Sequence, residues 1–274
     1  MELILGAQHI KLGKAHDISV PVQFGSGLAE FGAPPAEKHA YKAGDFTGNV
    51  HAGGSCNCDY ITFSPHLHGT HTECVGHIVR EAVAVHEVLQ DAFIAAQLVS
   101  ITPVKAASCN ETYAPALRPD DLVITQSVIA SKISDFARQS SKQKLDCFVA
   151  DAPRNDDNTA LIIRTAWKHG STPAFFTIEA MEYIAQQGVQ HLLVDMPSID
   201  RLDDEGKLTN HHIFWGIAQG SHSLAGKPPS PKTVTELIFA PSVLPDGHYM
   251  LNLQVAAFAS DATPSRPILY EIIK

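Results

Sequence analysis

Apolar residues along this chain fall into short runs, many of them β-branched, cut by Gly, Pro and polar clusters; one run has helical spacing. "YITF" at 60–63 has strand composition. "LDCFVADAP" (145–153) and "NTALIIRTAW" (158–167) read as two buried strands separated by "RNDDN". A strand–helix–strand unit is predicted around Thr177, which caps a helix over "IEAMEYIAQQ"; Gly188 ends it, and "VQHLLVDMP" resumes as a strand stopped by Pro197. "GHYMLNLQVAAFA" and "SRPILYEII" add a long strand and a terminal one. Residues 20–59 are rich in Gly, Pro and Ala without periodicity, which predicts an irregular surface segment of the kind that lines sites. No internal repeat or low-complexity tract is present, so patterning alone predicts mixed α and β structure.

Composition narrows the class. With 274 residues, 45% hydrophobic and 18% charged, the chain is expected to form one compact domain over residues 1–274. The net charge is −9 and the 20 basic residues are scattered, which argues for a small-molecule partner and against nucleic acid. No stretch reaches the length of a membrane span and "MELILGAQHIKLG" lacks a basic leader, so a cytoplasmic location without membrane attachment is expected. The five cysteines are an odd number in a chain too long to need staples, and are expected as free thiols. Cys56 and Cys58 lack the second pair that a tetrahedral sulfur site requires.

Several large enzyme classes lose support. The chain has no Gly-x-Ser-x-Gly elbow, no phosphate-cradling Gly-x-x-x-x-Gly-Lys and no Gly-x-Gly-x-x-Gly. His86-Glu87 starts like a zinc-protease helix, but Gln90 stands where the second histidine belongs.

The chemistry is concentrated in "SPHLHGTHTECVGH" at 64–77, with four histidines and a glutamate. In extended chain His71, Glu73 and His77 share one parity, while His66 and His68 share the other; Gly69 between them can supply the turn that brings both sets together. Imidazole and carboxylate together suit zinc, manganese or iron, and Glu73 can bridge two ions. Cys74 has the opposite parity from Glu73 and is expected to pack in the core. A catalytic site also needs remote ligands, and His211, His212 and Glu236 are the candidates.

These residues resemble a known family, the cyclase-like metal hydrolases that include bacterial kynurenine formamidases. Its signature is His-x-Gly-Thr-His-x-Asp-x-Pro-x-His, and "HGTHTECVGH" matches the Gly-Thr-His core and the last histidine. "AHDISVPV", "LIIRTAW", "LLVDMPSID", "NHHI", "TELIF" and "TPSRPIL" resemble further family segments in the right order. The resemblance implies metal ligands at His71, Glu73, His211 and Glu236, and His77 as catalytic acid/base with Glu236 beside it. For the first ligand, either His66 or His68 takes the role after a one-residue shift, and His66 is preferred because the extra residue can be absorbed beside Gly69. Glu73 replaces the family's Asp and Val75 its Pro, and the tryptophan–proline stretch of the formamidase substrate loop has no counterpart.

The resemblance also implies a swivelling β/β/α fold, a mixed α+β architecture with a mixed sheet or barrel-like core and flanking helices, assembled as a homo-oligomer, dimer or tetramer. The implied activity is hydrolysis of a carbon–nitrogen bond in a small amide, N-formylkynurenine first, by water activated on one or two Zn2+ ions, with Mn2+ as the alternative. The rival readings are a hydrolase of lactones or cyclic esters, and a non-catalytic metal-binding or sensor protein.

Overall fold

The computed structural model of the protein describes residues 2–5, 8–133 and 159–273. The strand expected over 145–153, with Cys147, lies outside them. A 10-stranded sheet organises the rest. Its strands are β1 (Glu2–Leu5), β2 (Gln8–Asp17), β3 (His71–Cys74), β4 (Ile94–Ser100), β5 (Thr159–Arg164), β6 (His191–Val194), β7 (Thr233–Glu236), β8 (Gly247–Asn252), β9 (Ala262–Pro264) and β10 (Ile268–Ile273). They lie in the order β1-β2-β10-β8-β4-β5-β6-β7-β3-β9. The central four, β4 to β7, are parallel, and antiparallel strands extend both sides. Of the two expected core forms, this is the mixed sheet.

The parallel centre follows from sequence. Leu161, Ile162 and Ile163 of β5, like Leu192, Leu193 and Val194 of β6, are buried on both faces, as continuous apolar runs in covered parallel strands must be. Between them runs α2 (Ile178–Gln186); α1 is the single turn Val85–Val88. Thr177 Oγ1 accepts from the amide of Ala180 at 3.2 Å as its cap, and Gly188 adopts φ 76° just beyond its end. Leu161, Ile163, Leu192, Val194 and Val234 pack on one face against Met181 and Ile184 of α2 and Phe214 and Trp215 of α3 (Thr209–Trp215). Leu98, Ile162, Leu193 and Leu251 fill the opposite face.

Two expected strands are shorter or differently placed. β8 ends at Asn252, and beyond it the pairing continues as a bond from the Arg266 amide to the Gln254 carbonyl at 3.4 Å and an isolated bridge between Val255 and Ser265. The strand expected at 60–63 forms at Asp59–Thr62, in an exposed two-stranded ribbon with Glu37–Ala40, outside the main sheet. His86 lies on α1 and bonds the Phe258 carbonyl at 2.7 Å. Among the described residues, no helix is long and apolar enough to cross a membrane.

Candidate metal centre

The inner wall of the site is built by strand register. β3 lies between β7 and β9, and its antiparallel pairing sets His71 opposite Glu236 and Glu73 opposite Val234. Directly paired residues share a face, and residues two apart share it too, so His71, Glu73 and Glu236 point together to the helix-covered side. Thr72 and Thr235 point the other way and bond each other through their hydroxyls at 2.7 Å.

The Gly-Thr-His core has a physical reason. Gly69 adopts φ 89°, and a side chain there would meet the Val20 carbonyl at 2.7 Å. Thr70 Oγ1 accepts from the Val20 amide at 2.7 Å and donates to the Leu237 carbonyl, tying the amino-terminal segment to the end of β7. His71 then enters the nest fully buried. Its Nδ1 donates to the Gly69 carbonyl at 3.1 Å, so its Nε2 presents a lone pair. That Nε2 is buried, without a hydrogen-bond partner among the described residues, 3.4 Å from Glu236 Oε2. An orphaned imidazole lone pair facing a carboxylate is what a cation site requires.

His211 closes the nest from α3. Its Nε2 lies 2.8 Å from Glu73 Oε1 and 3.7 Å from Glu236 Oε1, and its Nδ1 is 2.6 Å from Asp200 Oδ2. Asp200 also accepts from Tyr113 Oη and from the Asn210 and His211 amides, so one buried carboxylate caps α3 and fixes the His211 ring. Phe214 and Trp215, one turn on, anchor the helix in the core, with the Trp215 ring 5.1 Å from that of His211. Glu236 Oε1 accepts from the Ile199 amide at 2.9 Å, which holds the carboxylate in place.

The rim comes from turns. His66 Nδ1 is 2.9 Å from Glu73 Oε2, and its Nε2 is 2.9 Å from Asp261 Oδ2. After Cys74 the chain bends into a 3-10 turn, Val75–His77, so His77 arrives by this turn rather than by the strand parity that groups it with His71 and Glu73. His77 Nε2 lies 4.0 Å from Glu73 Oε2 and its Nδ1 3.3 Å from Asp261 Oδ2. The structure thus brings together His66, His71, Glu73, His77, His211 and Glu236.

It leaves out His68 and His212. His68 Nε2 donates to the Pro34 carbonyl at 2.9 Å and Nδ1 accepts from the Ser64 amide at 3.0 Å; both nitrogens are spent on a loop clasp. His212 packs towards His222, with ring centroids 6.0 Å apart. Cys74 is buried, and burial raises its thiol pKa to about 12. Cys56 and Cys58 are exposed free thiols. The residues that sequence reasoning missed are Asp200, Asp261 and Tyr113. A carboxylate closing the largely apolar run "LLVDMPSID" was the available signal for Asp200, because such a group is buried only with partners; nothing local marks Asp261.

Charge in the nest is tightly balanced. Burial pushes the Glu73 carboxyl up, but His77, His211 and His66 around it outweigh this and hold it well below the usual carboxylate range. Burial opposes charge on His66, yet hydrogen bonds to Asp261 and Glu73 carry its pKa to about 10. His211 is raised for the same reason by Glu73 and Asp200. Among the described residues, three groups of ligand atoms each converge within 4.8 Å: His66/His71/Glu73, Glu73/His211/Glu236 and His66/His77/Asp261. Glu73 is common to the first two and can bridge them. Imidazole nitrogen with carboxylate oxygen is a borderline donor set that fits a divalent transition metal.

A mixed sheet with a buried histidine–carboxylate nest beside the carboxyl end of its last parallel strand defines the class of protein. The chain belongs to the cyclase family: the family model described as "Putative cyclase" matches residues 16–201. Solved structures share the fold. A predicted metal-dependent hydrolase from Bacillus stearothermophilus is 18% identical, with 94% of this chain and 98% of that one covered and a TM-score of 0.54. Isatin hydrolase A from Labrenzia aggregata, bound to benzyl benzoate, is 14% identical over 94% of this chain and 93% of that one, with a TM-score of 0.60. An isatin hydrolase bound to the product analogue thioisatinate is 11% identical over 95% and 93%, also at 0.60. No curated protein matches the chain.

Proposed function

We propose that this protein is a metal-dependent hydrolase that cleaves a carbon–nitrogen bond in a small amide. The observation that carries the reading is the buried Nε2 of His71, without a hydrogen-bond partner among the described residues and aimed into a nest of carboxylates. His66, His71, Glu73, His211 and Glu236 would hold one or two divalent ions, zinc first and manganese second. A bound ion supplies Lewis acidity and lowers the pKa of water towards neutrality.

The chain's own residues do the rest. Glu73 and Glu236 offset the cationic charge, and Asp200 fixes the His211 ring with Nε2 facing inward. His77 sits at the half-exposed rim with Nε2 towards Glu73, placed to take a proton from the attacking water and deliver it to the leaving nitrogen. The protein works as a homo-oligomer on a small-molecule substrate in the cytoplasm.

N-formylkynurenine is the first linear amide to test. A cyclic amide is the second reading, favoured by the isatin hydrolases among the structural neighbours, since isatin is itself a cyclic amide. Zinc-loaded protein should be assayed on both, with formanilide as a generic amide. Hydrolysis of any of these, lost on chelation and in His77→Ala, supports the reading; metal-loaded protein inert on all three contradicts it.

A further inference from the structure

One carboxylate serves both halves of the rim. Asp261 Oδ2 accepts from His66 Nε2 at 2.9 Å and lies 3.3 Å from His77 Nδ1. Each ring is thereby held by its outer nitrogen, leaving His66 Nδ1 and His77 Nε2 facing Glu73 Oε2 at 2.9 and 4.0 Å. The two rings lie side by side, with centroids 4.3 Å apart.

The surrounding backbone holds Asp261 in place. Its carbonyl accepts from the Cys74 amide at 3.0 Å, and the carbonyl of Ser260 accepts from the Val85 amide at 2.9 Å. Ser260 Oγ donates to the free oxygen, Oδ1, at 3.3 Å. Gly76, inside the turn that carries His77, lies so close that a side chain there would meet Asp261 Cβ at 3.1 Å and the Val83 carbonyl at 2.4 Å. A glycine is therefore what allows the His77 turn to seat against Asp261.

We propose that Asp261 is a positioning residue shared by the metal ligand His66 and the proton-transfer residue His77, setting the direction of both rings through one oxygen. This rests on the hydrolase reading for the roles of the two histidines. A carboxylate behind a ligand imidazole fixes its orientation and raises its basicity. Here the same group also fixes the imidazole that moves the proton, so loss of Asp261 should damage metal affinity and turnover together.

The test compares Asp261→Ala and Asp261→Asn with the unaltered protein in two measurements. The first is zinc affinity by competition with a chromophoric chelator. Asp261→Ala should bind zinc about 10–100-fold more weakly, and Asp261→Asn, whose amide oxygen still accepts from both rings, should recover most of the loss. The second is 15N NMR of the histidine rings in metal-free protein: the proton on His77 Nδ1 should be kept in Asp261→Asn and redistributed to Nε2 in Asp261→Ala. A loss of fold in the alanine variant leaves the asparagine variant to decide, because the proposal requires it to keep ring protonation that an acceptor-free site would not. Unchanged zinc affinity and unchanged ring protonation in Asp261→Ala overturn the proposal. If the unaltered protein takes up no zinc, the hydrolase reading fails instead, while the NMR result still judges Asp261.

Discussion

The inner wall and the rim of the centre are built by different means. His71, Glu73 and Glu236 project from paired strands, and their mutual placement is a consequence of register; a one-residue slip would turn all of β3 away from the nest. His66 and His77 sit on turns either side of β3 and are aimed by a side chain from a third segment, Asp261. The wall is buried and the rim half-exposed. A wall of this kind supplies a rigid ligand set, and a rim held by one carboxylate supplies groups that can meet substrate and exchange protons.

Changes to the wall should abolish the centre, and changes to the rim should disable it. The largest effect is expected from Glu73→Ala, which removes the carboxylate that His66 and His211 both contact; metal retained through dialysis should fall to background, measured by elemental analysis. His77→Ala should keep its metal and lose about 10²–10⁴-fold in kcat, which separates proton transfer from metal binding in one pair of assays. Asp200→Asn acts on the nest only through the His211 ring that it holds, and should weaken zinc about 10–100-fold in a chelator competition.

The pH dependence sharpens the same contrast. In the metal-free protein the neighbouring carboxylates hold His66 protonated up to about 10, whereas a metal ligand must be neutral. Metal uptake at pH 7 should therefore release protons into weakly buffered solution, and affinity should rise with pH, by up to about tenfold per unit for each proton displaced. Affinity independent of pH between 6 and 8 would remove His66 from the ligand set. The smallest effect on the centre is expected from His68→Ala. Its ring serves only the clasp to Pro34 and Ser64, so stability should drop by about 1–3 kcal/mol in denaturant unfolding while zinc affinity stays the same.

The same division explains what could be read from the sequence. Parity within "HTE" was enough to place His71 and Glu73 on one face, because a strand has a fixed period. His77, though named from its motif, does not owe its place to that parity: the chain leaves the strand after Cys74 and returns it by a turn. The choice between His66 and His68 depends on which backbone groups each ring can reach, Pro34 and Ser64 for one and the nest for the other, and spacing does not encode that. Asp261 stands 184 residues from His77; only the pairing of β9 with β3 brings them together, and no local pattern announces it. The strand–helix–strand unit, in contrast, was legible to its cap because Thr177, Gly188 and the apolar runs around them act locally.

The proposed function requires that this nest hold a metal. Metal content per chain, measured by elemental mass spectrometry on protein purified without chelator or histidine tag, tests it most directly. One to two equivalents of a divalent transition metal, retained through dialysis and lost in Glu73→Ala, are expected. An absence of bound metal, with no uptake of zinc or manganese when either is offered, would contradict it.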